Sequence, residues 1–272
     1  MADENKPATP TPPAKPPEVK ETLRQKMRKT QIYRSIFRHD YKDTPRNRTM
    51  SVANNVFLHL HPVKVLRGAV KFKHTWCMGG LSFFLFLVLL VTGVALMFYY
   101  RPTAEYAYND MKYLQFDVPF GMLLRNMHRW AAHAMIITVW LHMFRVFMTG
   151  SYKPPREFNW GVGVILLVLT MLLSFTGYLL PWDQLAIWAV TVGTNMARAT
   201  PFLGHEGPFG PQLGMRPDND VRFVLLGGTQ VGAPTLLRFY VLHCIALPFF
   251  LLVFVTVHFW RVRKDGGISG PL

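Results

Sequence analysis

Four apolar runs divide the chain, and the charged residues fall mostly between them. LSFFLFLVLLVTGVALMFYY fills most of residues 75–100. A second run covers 119–149, a third reads from NWGVGVILL to FTGYLL over 159–180, and RFYVLHCIALPFFLLVFVTVHFW lies within 235–262. Each is long enough to cross a hydrocarbon core that takes about 20 residues as a helix. Arg101-Pro102 closes the first run and Pro181 the third, because proline cannot continue a helix. Trp76, Tyr99 and Tyr100 suit the membrane interfaces. The pattern predicts an all-α membrane protein: a four-transmembrane-helix bundle with a basic N-terminal extension and interfacial helices.

The segments outside the runs are of different kinds. Residues 1–20 are Pro-rich without apolar periodicity and read as disordered. Residues 21–50 are basic with scattered apolar positions. They fit an amphipathic helix on an anionic leaflet and a solvated tail equally well. Residues 1–50 together are a disordered or basic extension. Residues 51–74 mix Val56, Phe57, Leu58, Leu60, Val63, Val65 and Leu66 with Lys64, Arg67, Lys71 and Lys73, which predicts an interfacial amphipathic helix. His59, His61 and His74 lie there without a useful pairing and read as interfacial residues. The long connection over 181–234 is expected to carry structure of its own. Trp182, Ile187, Trp188 and Val190 in it predict a short helix along the interface.

Charge sets the topology. The chain of 272 residues is 50% hydrophobic and carries a formal charge of +15. No nucleic-acid motif accompanies that excess, so it reads as topological and lipid-facing. The N-terminal arm, Lys153 and Arg156 in the second connection, and Arg261, Arg263 and Lys264 near the end share one side. The positive-inside rule puts that side, and both termini, in the cytoplasm. MADENKPATP has no apolar core of a secretory signal, so the first spanning helix is expected to drive insertion. Cys77 and Cys244 both sit in apolar stretches and make no disulfide framework.

The histidines carry the candidate chemistry. His128 and His142 are fourteen residues apart on the second span. At about 100° per residue that interval returns to within about 40° of one face, with the rings roughly 21 Å apart along the axis. His243 and His258 on the fourth span are fifteen apart. An isolated intramembrane histidine is often only a helix–helix hydrogen-bonding group. Matched spacing on two antiparallel spans makes two pairs, His128 with His243 toward the outer side and His142 with His258 toward the inner. That is the ligand set of two six-coordinate haems. An iron with two histidine ligands has no open position for oxygen or substrate, so such haems pass electrons. Lipid-soluble quinones are the obvious donors and acceptors at the two surfaces.

Glycines repeat the interval: Gly79 and Gly93 on the first span, Gly163 and Gly177 on the third, fourteen apart in each case. Generic small-residue packing is the alternative, but two pairs at the histidine period favour backbone lying against flat groups at both levels. Arg125 and Arg129 flank His128, Arg145 follows His142, and Arg238 precedes His243. Their guanidinium groups suit haem propionates, against snorkelling as the alternative.

These motifs resemble the cytochrome b family, in its short b6 branch from photosynthetic-type bc complexes. The similarity covers about residues 75–272. It includes HTWCMGG, TGVALMFYYRPT, RNMHRW, LHMFRV, TGYLLPWDQ, TLLRFYVLH, HFWRVRKDGG and the terminal ISGPL. The fifteen-residue His243–His258 interval and a chain of four spans are both of the b6 kind. The resemblance implies a low-potential haem bp on His128 and His243, and a high-potential haem bn on His142 and His258. It also implies a third, c-type haem held by one thioether to Cys77, with Arg263 contacting its propionate. No CxxCH is present, so no motif would have suggested that attachment. Cys244 matches nothing functional.

By the same resemblance, Pro181, Trp182, Asp183 and Gln184 contribute to a quinol-oxidation site. The rest of that site would lie on a companion three-helix subunit. A Rieske-type iron–sulfur protein, a cytochrome c-type subunit or acceptor, a homodimeric complex and bound lipids are implied partners. The implied activity is that of a quinol:cytochrome c or plastocyanin oxidoreductase, of which this chain is one subunit. The long N-terminal arm, an insertion around 205–222 and an extra glycine before Ile268 depart from the plant-type pattern. They imply a bacterial cytoplasmic or derived energy-converting membrane. A di-haem anchor for a dehydrogenase or hydrogenase would not be expected to carry PWDQ, Cys77 and ISGPL. A transporter with structural histidines would show no haem absorbance.

Overall fold

The structure, a computed structural model, describes residues 22–37, 43–53, 55 and 67–269. His59, His61 and most of the expected 51–74 helix lie outside these residues. Among the described residues there is no strand. The first compact unit ends at Tyr41. Its described part holds α1 (Leu23–Lys29) and α2 (Gln31–Ile36), neither with a buried residue. Thr22 and Gln25 form a capping box on α1, and Lys26, Arg28 and Lys29 in its last turn oppose the helix dipole. Helical structure thus occurs inside the segment read as a disordered or basic arm.

The second unit begins with α3 (Pro45–Ala53). Proline at the first helical position has no N–H to lose there. Of the span 51–74, the described residues place the end of α3 at Ala53, a turn at 67–70, and α4 (Phe72–Thr75). The spanning helices are α5 (Met78–Met97), α7 (Gly121–Met148), α8 (Glu157–Tyr178) and a fourth span, Ala233–Lys264. Between α5 and α7 lies α6 (Ala107–Phe116), and α9 (Gln184–Ala197) and α10 (Val221–Leu226) lie in the long third connection. The fourth span is built from α11 (Ala233–Val241), a π-turn over Leu242–Ala246, and α12 (Leu247–Lys264).

Helix α5 packs mainly on α7, and α8 on α12. Phe86, Met135, Leu169, Leu247 and Leu251, drawn from all four spans, form one buried layer. Met135 is seven residues from His128 and from His142, and Phe86 is seven from Gly79 and from Gly93. The apolar core therefore sits midway between the two histidine levels. Large residues such as Val91, Trp130, Ile137 and Phe249 stay exposed on the spans. That is the expected outcome where the helix exterior meets lipid rather than water.

A second group closes the His128 end. Leu179, Val190, Leu226 and Phe239 join α8 to α9, α10 and α11. The Tyr100 hydroxyl donates to the Leu180 carbonyl at 2.6 Å, and its ring stacks on Tyr240 at 5.8 Å. Arg101 fixes α6 through three hydrogen bonds to the buried carboxylate of Asp110, one of them from its own backbone N–H.

Candidate functional site: two stacked imidazole pairs

The two histidines of α7 meet those of the fourth span level by level. His128 and His243 have ring centres 6.2 Å apart, and His142 and His258 have theirs 6.4 Å apart. Within each pair the ring planes are near perpendicular, at 76° and 81°. Two imidazoles on opposite sides of one metal ion, with metal–nitrogen bonds of about 2.0–2.1 Å, hold their ring centres roughly 6.3 Å apart. Among the described residues no group of three or more His, Cys, Asp or Glu side chains gathers to hold a bare ion. A metal at either level would need its remaining ligands from a macrocycle.

The unequal spacings, fourteen and fifteen, are reconciled in the backbone. At Leu242–Ala246 the fourth span opens into a π-turn, and the Leu247 N–H donates to the Leu242 carbonyl five residues back. The wider turn absorbs one residue, so fifteen residues here cover the turns that fourteen cover on α7. Pro248 supplies a cause, since its ring has no N–H and would clash with the Cys244 carbonyl in a regular helix.

Each of the four glycines faces one imidazole. A Cβ at Gly79 would lie 3.1 Å from His142 Cε1, and one at Gly93 would lie 3.2 Å from His128 Cε1. The corresponding distances are 2.5 Å from Gly177 to His243 and 4.0 Å from Gly163 to His258. Gly79, Gly93 and Gly177 thus open space for the rings themselves, while Gly163 leaves an ordinary contact.

The Nδ1 partners fix tautomers. Thr92 donates its one hydroxyl proton to the Val88 carbonyl at 2.7 Å, so its oxygen accepts from His128 Nδ1–H at 2.9 Å. His243 Nδ1–H is donated to the Leu173 carbonyl at 3.1 Å and to the Thr176 hydroxyl at 3.2 Å. Thr176 in turn donates to Leu172 at 2.8 Å. With Nδ1 protonated, the Nε2 lone pairs of His128 and His243 are left for a metal. His142 Nδ1 is buried without a hydrogen-bond partner, and the buried His258 Nδ1 has only the Asn159 main chain as a long-range acceptor. The donor set at both levels therefore fits axial ligation of an iron porphyrin.

The remaining candidates are placed as follows. Cys77 is exposed at the start of α5 with left-handed backbone (φ 52°), directly after Trp76 (φ 51°). Gly80 leaves room for its sulfur, 3.1 Å from where a Cβ would stand, and Gly79 beside it meets His142. An accessible thiol with this clearance fits a thioether attachment at the His142 level. Arg125 bonds Gln115, and Arg238 bonds the Val224 carbonyl. Arg129 is exposed, while Arg145 and Arg263 are half-buried.

Trp182 has a positive φ of 53°, and Asp183 caps α9 by accepting from the Ala186 N–H at 2.8 Å. Pro181 stands between the end of α8 and this turn, and Gln184 opens α9. Trp182, Asp183, Gln184, Leu185 and Tyr108 line an open cleft of about 410 Å³. Tyr108 carries no signal in the sequence, because it lies off the Ala107–Met111–Leu114 face that α6 buries. The sequence reading also missed the buried Arg261–Asp265 pair, 3.3 Å apart, with Arg261 over the Phe158 ring at 4.6 Å. His74, read as interfacial, makes a 2.9 Å hydrogen bond with the Ser269 carbonyl.

Four membrane-length helices bearing two superposed imidazole pairs define an integral membrane bundle built around two axial-ligand sites. The family model described as Cytochrome b/b6/petB matches residues 64–266. The cytochrome b6 of Gracilaria tenuistipitata var. liui is 45% identical over 197 residues, which span 72% of this chain and 85% of that protein. The cytochrome b6 of Acaryochloris marina (strain MBIC 11017) is 43% identical over the same shares. A solved chain of a hyperthermophilic respiratory Complex III superposes with a TM-score of 0.63 at 29% identity. That match covers 83% of this chain and 55% of the solved one, so the chain spans about half the length of that neighbour. The chain belongs to the cytochrome b/b6 family, and membership implies b-type haem and electron transfer.

Proposed function

We propose that this chain is the di-b-haem transmembrane subunit of a quinol:cytochrome c or plastocyanin-type oxidoreductase. His128 and His243 are the axial ligands of haem bp, and His142 and His258 those of haem bn. Cys77 is the thioether attachment of a third, c-type haem. When bound, these groups supply a one-electron path joining quinol oxidation outside to quinone reduction inside, a Q cycle that releases protons outside and takes them up inside. The observation that carries this reading is the pair of ring separations, 6.2 and 6.4 Å, at two levels of one bundle.

The chain's own residues hold and orient. Thr92 and Thr176 set the tautomers of the outer ligands; Gly79, Gly93 and Gly177 give three of the rings their space, and Gly163 lies beside the fourth. The layer of Phe86, Met135, Leu169 and Leu251 excludes water between the levels. Arg125, Arg129, Arg145 and Arg238 are the partners of b-haem propionates, and Arg263 that of the third haem. Arg125 and Arg238 keep further N–H donors beyond their present bonds. Pro181, Trp182, Asp183 and Gln184 form this chain's part of the quinol-oxidation cleft.

The complex pairs this subunit with a Rieske-type iron–sulfur protein, a companion three-helix subunit, a cytochrome c-type partner, lipids and a second copy of itself. It lies in a bacterial cytoplasmic or derived energy-converting membrane, with both termini cytoplasmic. Replacing His142 by Leu in the purified complex tests the ligand set. The reduced-minus-oxidised spectrum should lose one b-type component and keep the other. Retention of both would overturn the pairing.

A further inference from the structure

We propose that the hydroxyls of Thr92 and Thr176 are positioning residues that lower the midpoint potential of the outer haem relative to the inner one. This rests on the bis-histidine reading above. At the outer level both ligand Nδ1–H groups are donated to acceptors on the neighbouring helix. His128 reaches Thr92 of α5 at 2.9 Å, and His243 reaches Thr176 and the Leu173 carbonyl of α8 at 3.2 and 3.1 Å. At the inner level no hydroxyl meets either ring: His142 Nδ1 has no partner, and His258 has only the Asn159 main chain within reach.

The asymmetry is written in the sequence one position before each glycine. Thr92 precedes Gly93 and Thr176 precedes Gly177 at the outer level. Fourteen residues earlier, Met78 precedes Gly79 and Val162 precedes Gly163. The same two helices therefore repeat the glycine beside the ring at both levels but offer a hydroxyl at only one. Each threonine has committed its own proton to its helix, to Val88 in one case and Leu172 in the other, so it can act only as an acceptor toward the ring.

An imidazole whose Nδ1–H is drawn by an acceptor gains electron density and becomes a stronger axial ligand. A stronger donor stabilises ferric over ferrous iron and so lowers the potential. The couple is one electron between Fe(III) and Fe(II), with no proton transferred. Two hydroxyl acceptors at the outer level and none at the inner favour inward transfer.

The test is a redox titration of the two b-haem absorbance bands in the purified complex. The variants are Thr92→Val, Thr176→Val and the double, with Thr92→Ser and Thr176→Ser as rescues. Thr170→Val is a control for loss of a buried hydroxyl on α8, because Thr170 donates to Leu166. Each Val variant should raise the outer midpoint. The double should change the oxidised-to-reduced ratio at fixed potential about tenfold, or ~59 mV for one electron. The inner midpoint should stay put, Ser should restore the outer one, and Thr170→Val should move neither.

An unmoved outer midpoint in a double variant that keeps both haems overturns the proposal and leaves the ligand assignment standing. Absence of b-haem from the unmodified complex overturns both. If the double variant loses its outer haem, the unmodified, reduced, ¹⁵N-histidine-labelled complex decides. Two Nδ1 resonances shifted toward imidazolate support the proposal, and four alike overturn it.

Discussion

The Cε1 of His243 lies 2.5 Å from where a Cβ on Gly177 would stand, the tightest approach between any of the four glycines and its imidazole. At the opposite level the same relationship, Gly163 to His258, is an ordinary contact of 4.0 Å. The four glycines share a spacing but carry unequal demands. Gly177→Ala must push His243 aside or bend α8, an overpacking cost of about 1–3 kcal/mol. Gly163→Ala meets no obstacle and gains helix propensity worth up to about 1 kcal/mol. Haem-to-protein ratios should therefore fall at the outer site in Gly177→Ala and hold in Gly163→Ala. Gly79→Ala and Gly93→Ala, at 3.1 and 3.2 Å, should fall between them.

The π-turn makes a second prediction. Deleting Ile245 together with Pro248→Ala should close the turn and leave His243 and His258 fourteen apart on one face. Deleting Val253 gives the same interval but leaves the π-turn in place, so His258 rotates by about 100°. The first variant should keep two b-haems per chain and the second should lose the inner one. Haem stoichiometry and the split of the b-type absorbance band report the difference.

The histidine and glycine levels were legible because fourteen residues are close to four helical turns, a period the chain repeats on three spans. The π-turn was not. Fifteen residues already come within about 60° of one face, so nothing demanded a correction, and the cause is a missing N–H at Pro248 rather than any apolar pattern. The break at Trp76–Cys77 was equally hidden, since two consecutive left-handed residues that are neither Gly nor Asn leave no signal. Helix α6 is only ten residues long and is held by Arg101–Asp110 and by buried Ala107 and Leu114. In the long third connection, His205 pairs with Asp220, fifteen residues away, while Asp220 also caps α10 by accepting from the Phe223 N–H. Chain separation hides such a pair from any local reading. The short helix read from Trp182, Ile187, Trp188 and Val190 corresponds to α9, whose start Asp183 marks as a cap.

Asp110 gives a pH-dependent prediction. The Arg101 guanidinium holds its carboxyl below the usual carboxylate range, against the upward push of burial. A folded-state value below the unfolded one, ordinarily about 3.9, stabilises the fold above that value. The gain is lost as pH falls through the folded value. Arg101 is largely open to solvent, so screening keeps the contribution small. Asp110→Asn should lower thermal stability in detergent near pH 7. The gap to the unmodified chain should shrink below about pH 4. A gap independent of pH would locate the effect in packing instead.

Cys77 carries the last prediction. Its thiol is exposed, Gly80 clears its sulfur, and its neighbour Gly79 abuts His142, one of the proposed inner ligands. A thioether survives denaturation, whereas axially held b-haem is lost when the bundle unfolds. Haem staining of the denatured chain should therefore be present in the unmodified protein and absent in Cys77→Ser. The b-type absorbance should persist in that variant, because the four histidines are untouched. Cys244→Ser should leave the staining intact, since that residue is half-buried within the π-turn and has no role in the attachment. Staining that survived Cys77→Ser would refute a covalent haem at this position and leave the two imidazole pairs as the whole of the site.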